Sequence, residues 1–176
     1  MATERVIITH PNRDPAVNKT TRFVVAILLL ASAVLTAVVM IGGWDYLVGM
    51  EAITIAFILI YIGAAILVIR WNRGVLPVIA ALAIILAIFA GVAAPEWFSR
   101  DKAGFAEPAI SNAMLGLLTA ILIPLQLLLV AFAMSGFRQA WNVEVEKYVE
   151  VDDDEDDLVT PPASSSGGPG SRPLPA

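Results

Sequence analysis

The chain has 176 residues, 58% of them hydrophobic and 15% charged, against about 45–50% and about 25% in an ordinary soluble domain. Its formal charge of -5 belongs largely to one segment, because nine of the sixteen acidic residues fall between positions 144 and 157. Cysteine is absent, which excludes disulfide frameworks, thiolate metal sites and cysteine nucleophiles. A single histidine, His10, cannot build a histidine metal site, and arginine outnumbers lysine eight to three, a bias that points to a bacterial genome rich in G and C.

The first 21 residues read as a polar, loosely ordered tail, since Thr9-His10-Pro11-Asn12-Arg13-Asp14-Pro15 is rich in turn formers. After Arg22 the apolar residues fall into long uninterrupted runs. A helix rises 1.5 Å per residue and the hydrocarbon core is about 30 Å thick, so roughly 20 such residues cross it. Four segments meet that length: 23–43, 47–69, 75–94 and 113–136, making 22–136 a transmembrane domain. The first run is too long for a cleavable signal peptide and reads as a membrane anchor. The expected fold is all-α, an integral membrane four-helix bundle with a disordered acidic C-terminal tail.

The connections are Trp44-Asp45-Tyr46, the basic Arg70-Trp71-Asn72-Arg73-Gly74, and a polar loop over 95–111. Connections this short make neighbouring helices antiparallel. Lysine and arginine are retained on the cytoplasmic side. Nine of them precede the first span, join the second to the third or follow the fourth, whereas Arg100 and Lys102 alone lie on the opposite side. Both termini are therefore expected in the cytoplasm, with the protein multi-pass in the cell (plasma or inner) membrane. Trp44, Trp71, Trp97 and Trp141 are all expected at the two interfaces, where an amphipathic indole is favoured.

Lipid gives apolar helices little reason to associate, so small residues and interhelical hydrogen bonds must contribute. Ala80, Ala83, Ala87, Ala90 and Ala94 follow a 3-4-3-4 spacing and form an expected packing seam on the third span. Ser32, Tyr61, Thr119 and Gln126 are the candidate intramembrane polar cluster. Counted from the boundaries, Ser32, Tyr61 and Gln126 lie near mid-membrane, where polar groups must find partners inside the bundle. Pro124 removes a backbone donor within the fourth span. Residues 137–150 carry Phe137, Trp141, Val145 and Tyr148 at helical spacing, which favours an amphipathic juxtamembrane helix over the strand suggested by Val143-Glu144-Val145-Glu146. Residues 151–176 open with six consecutive acids from Asp152 to Asp157 and continue rich in proline, serine and glycine, a composition expected to be disordered.

Charge inside a membrane is expensive and is kept where it acts. Glu51, near the expected outer interface, is the one acid a span might include, and no phosphate loop, zinc helix or serine nucleophile elbow occurs. The reading is of a protein that is not an enzyme and needs no cofactor or metal: a non-catalytic accessory, assembly or scaffold subunit. Its expected partners are the lipid bilayer, a membrane protein or further copies of itself, and a basic cytoplasmic partner for the acidic tail, with no nucleic acid. The alternative is a small transporter or channel subunit for a small neutral or weakly polar solute, lined by the polar cluster.

Overall fold

Within hydrocarbon every backbone N–H and C=O must be satisfied inside its own segment, so the apolar runs are driven into helices. The computed structural model describes residues 3–9, 13–102, 108–141 and 144–151. Four helices carry the described part of the chain: α1 (Ala16–Gly42), α2 (Glu51–Ile69), α3 (Val75–Ser99) and α4 (Asn112–Arg138). Each is long and apolar enough to cross a membrane.

The helix limits depart from the hydropathy limits for identifiable reasons. Pro15 precedes α1, and its carbonyl accepts from the amides of Asn18 and Lys19 at 3.1 and 3.3 Å. The first turns of α1 therefore include Lys19 and Arg22, ahead of the apolar run. The second helix starts at Glu51, four residues after the expected limit, because a 3-10 turn over Trp44–Tyr46 and further turns occupy the connection. An acid in the first turn suits the positive end of the helix dipole. The third helix continues beyond Ala94 through Pro95 to Ser99, so the expected loop over 95–111 is shorter than its composition suggested. The extension gives Trp97 a buried seat against Tyr46, edge to face with ring centroids 6.0 Å apart.

That seat also fixes Gly43. The position its Cβ would occupy is already filled by the Trp97 ring, so Gly43→Ala is expected to cost about 1–3 kcal/mol through overpacking. Gly63 has open space at the same position, and Gly63→Ala should be neutral or stabilising by up to about 1 kcal/mol. Unfolding midpoints of the two variants in mixed micelles check the pair.

Contacts between helix ends show how the bundle is wound. Arg22 Nη1 donates to the carbonyl of Ile69 at 3.3 Å, Arg73 Nε to Phe137 at 2.7 Å, and Gln139 Nε2 to Thr21 Oγ1 at 2.8 Å. The start of α1, the α2–α3 connection and the end of α4 thus meet at one end. At the other end Trp97 lies on Gly43, and Ile110 and Leu115 crowd Gly42. The most extensive interfaces are α3 on α4, α1 on α2 and α1 on α4, while α2 and α3 touch sparsely despite their short connection.

Of the five alanines at this spacing on α3, Ala80, Ala83, Ala90 and Ala94 are buried and Ala87 is half-buried. The main hydrophobic cluster, with Leu29, Tyr61, Val68, Leu76, Ile79, Ala83 and Leu129 among its members, fills the half of the bundle nearer the α2–α3 connection. Outward-facing side chains such as Leu59, Ile88 and Leu127 remain exposed, as expected of surfaces solvated by lipid.

Two strands, β1 (Thr3–Thr9) and β2 (Val145–Val151), pair into a two-stranded sheet that belongs to a separate compact unit. This corrects two expectations. The N-terminal segment is not loosely ordered over 3–9, and the surface helix expected over 137–150 does not form, because α4 ends at Arg138 and Val145–Val151 is extended. Both strands are rich in β-branched residues, which favour extended backbone. His10 and the acidic run with the tail to residue 176 lie outside the described residues.

Candidate functional site

Three of the four candidate polar side chains, those expected near mid-membrane, meet in one hydrogen-bonded chain. Tyr61 Oη on α2 donates to Gln126 Oε1 on α4 at 2.9 Å, and Gln126 Nε2 donates to Ser32 Oγ on α1 at 2.9 Å. Ser32 Oγ in turn donates to the carbonyl of Leu28 one turn earlier at 2.7 Å. All three residues are buried, and none of their side-chain oxygens or nitrogens is left without a partner. The helix period explains the convergence: Ser32, Tyr61 and Gln126 each lie on the inward stripe of their helix near its middle, so one long amide can bridge two hydroxyls. Gln126 is suited to this because its side chain both donates and accepts.

Thr119 does not join them. Its hydroxyl donates to the carbonyl of Leu115 on its own helix at 2.7 Å, the local satisfaction that threonine commonly finds in membrane helices. Instead it borders a half-open cavity of about 470 Å³ in the other half of the bundle, lined by residues of α2 and α3 among others. Thr36, Met40, Phe57, Phe89 and Trp97 are among the other lining residues. Phe57 stands between the two features, edge to face with Tyr61 at 6.1 Å and with Phe89 at 6.2 Å.

Thr36 is an exception among these hydroxyls. It is 7% exposed, and its Oγ1 has no hydrogen-bond partner. A buried polar group without a partner costs about 1–3 kcal/mol, so Thr36→Val, of nearly the same shape, is expected to stabilise the bundle by about 1 kcal/mol. A shift of the unfolding midpoint to higher denaturant checks this, and Thr36→Ser should not give it.

At the basic end the sequence identified the aromatic residues but not their partners. Trp141 is fully buried, its ring edge to face with Trp71 at 5.5 Å and its Nε1 donating to Gln139 Oε1 at 2.9 Å. Arg22 lies over the Trp71 ring at 4.1 Å and Arg73 over Phe137 at 4.4 Å, while Arg13 Nε donates to the carbonyl of Trp141 at 3.4 Å. These guanidinium groups accordingly offset the negative ends of α2 and α4 and use ring faces as a second partner. Tryptophans expected at the lipid interface divide in practice: Trp44 is exposed, whereas Trp97 and Trp141 are buried within the protein.

Ala140 adopts φ 50°, a left-handed conformation just past the end of α4. Glycine occupies such a position without the strain imposed by a Cβ. Ala140→Gly is expected to gain up to about 1 kcal/mol, measured in the same unfolding titration.

Glu51 is the first residue of α2 and half-buried, so it lies at a helix end and not in the hydrocarbon middle. Among the described residues no group of three or more His, Cys, Asp or Glu is arranged to hold a metal ion. No family model matches the chain, and no match to it is found among curated proteins or solved structures.

Proposed function

We propose that this chain is a non-catalytic accessory, assembly or scaffold subunit of a bacterial cell membrane, acting through contact with a membrane-protein partner or further copies of itself. The observation that carries the proposal is the closed Ser32–Gln126–Tyr61 chain. Its mid-membrane polar groups are engaged with one another, and a solute path would need such groups turned to water. Interhelical hydrogen bonds of this kind hold a bundle in register. Outward apolar faces on all four helices are available to lipid and to other helices.

The orientation proposed has both termini cytoplasmic. Arg13, Lys19, Arg22, Arg70, Arg73 and Arg138 belong to the end formed by the start of α1, the α2–α3 connection and the end of α4, and cations of this kind are retained on the cytoplasmic side. The acidic run from Asp152 to Asp157 would then face the cytoplasm and suit a basic partner.

Extraction in mild detergent and co-purification should recover a stoichiometric membrane protein or a defined homo-oligomer. A lone monomer in every mild detergent, together with no cellular effect of deleting the chain after Glu150, would remove the basis of this reading. In liposomes, flux of small neutral solutes should not exceed that of empty vesicles; Gln126-dependent flux would favour the transporter reading instead. A reporter enzyme fused at Ala176 should be active in the cytoplasm, and activity on the outer side would reverse the orientation.

A further inference from the structure

The cavity between α2 and α3 combines three properties that point to a ligand. It has the volume of a small-molecule pocket, about 470 Å³, within the range of about 300–1,000 Å³ usual for such sites. Its lining is apolar except for the hydroxyls of Thr36, Thr54 and Thr119, together with the indole of Trp97. Two of those hydroxyls are already engaged with their own helices, Thr54 with the carbonyl of Met50 at 2.9 Å and Thr119 with that of Leu115. Thr36 lines the cavity, and its Oγ1 is buried and without a hydrogen-bond partner.

We propose that this cavity binds an uncharged, largely apolar molecule carrying one oxygen, such as a long-chain ketone or alcohol, with that oxygen hydrogen-bonded to Thr36 Oγ1. Depth selects this class. Thr36 lies six residues from Gly42, the last residue of α1, which at 1.5 Å per residue is about 9 Å inside the helix end. The ester groups of bilayer phospholipids sit at the edge of the hydrocarbon core, so their oxygens fall short of Thr36. No ionisable side chain lines the cavity, and an ionised head group at this depth would be costly. A neutral molecule that dissolves in the hydrocarbon enters between α2 and α3 and presents its oxygen to Thr36, whose buried hydroxyl turns to it by rotation about χ1. Phe57, Phe89 and Trp97 supply apolar surface for its body along the cavity wall.

The test uses the full chain in nanodiscs of a saturated phosphatidylcholine, with a long-chain ketone bearing a photoreactive diazirine as probe. Labelling should be saturable and map to cavity-lining residues of α1, α2 and α3. Displacement by 2-undecanone should be about fivefold stronger than by undecane, the factor that one net hydrogen bond supplies. Thr36→Val should bring the two competitors to equal strength while Thr36→Ser keeps the preference. Ala93→Phe, which fills the cavity from α3, should abolish labelling. A single species in gel filtration establishes that each variant is folded. Equal displacement in the wild type, or labelling that rises without saturation, would mean that acyl chains of the bilayer simply fill the space. A ketone preference that survives in Thr36→Val, or labelling that survives in Ala93→Phe, would equally overturn the assignment.

Discussion

Trp141→Ala is expected to lower the unfolding free energy of the bundle by about 3–5 kcal/mol, the range for removing a large buried aromatic side chain. Trp141 is 0% exposed and acts at a junction. Its ring closes against Trp71 and against Gly136, where an added Cβ would stand 3.1 Å from the indole. Its N–H orients Gln139, whose amide reaches Thr21 on α1. The truncation therefore empties a cavity, frees one edge of the Trp71 ring and loosens the α4–α1 tie together. Trp141→Phe keeps a ring but lacks the N–H, and should cost about 1–2 kcal/mol. Denaturant titration in mixed micelles separates the two variants. A Trp141→Ala effect within about 0.5 kcal/mol would mean that the residue stabilises the bundle no more than a surface side chain does.

The burial of Trp141 also shows where the sequence was legible and where it was not. The four helices could be read directly, because lipid as solvent forces uninterrupted apolar runs into helices and fixes their length. Their limits were less legible. Lys19 and Arg22 stop a hydropathy run but not a helix, and Pro95 is tolerated in α3 because the segment beyond it seats Trp97. Depth counting brought Ser32, Tyr61 and Gln126 to the same level, but Thr119 had the right face and a partner on its own helix. Phe137, Trp141, Val145 and Tyr148 fit a helical period by spacing alone. The left-handed turn at Ala140 breaks that period, and the pairing of β1 with β2 across more than a hundred residues has no local signature. The unpartnered hydroxyl of Thr36 was invisible for a related reason: Ser32 and Thr36 look equivalent in sequence, and only the packing of α4 gives one a partner and leaves the other against the cavity.

Gln126→Leu is expected to cost about 2 kcal/mol, because it leaves Tyr61 Oη buried without an acceptor. Ser32 loses a donor but keeps its own bond to Leu28, so Ser32→Ala should cost less, about 1 kcal/mol. The decisive measurement is a double-mutant cycle between Gln126→Leu and Tyr61→Phe. If the 2.9 Å bond is a direct link between α2 and α4, the double variant should be more stable than the sum of the single effects predicts, with a coupling of about 0.6–1.7 kcal/mol. The same cycle between Thr119→Val and Tyr61→Phe should be additive, since Thr119 bonds within α4. Additivity at Gln126 would mean that the three-helix chain does not hold the bundle, and with it would go the argument that these polar groups are engaged in packing instead of lining a path for solute.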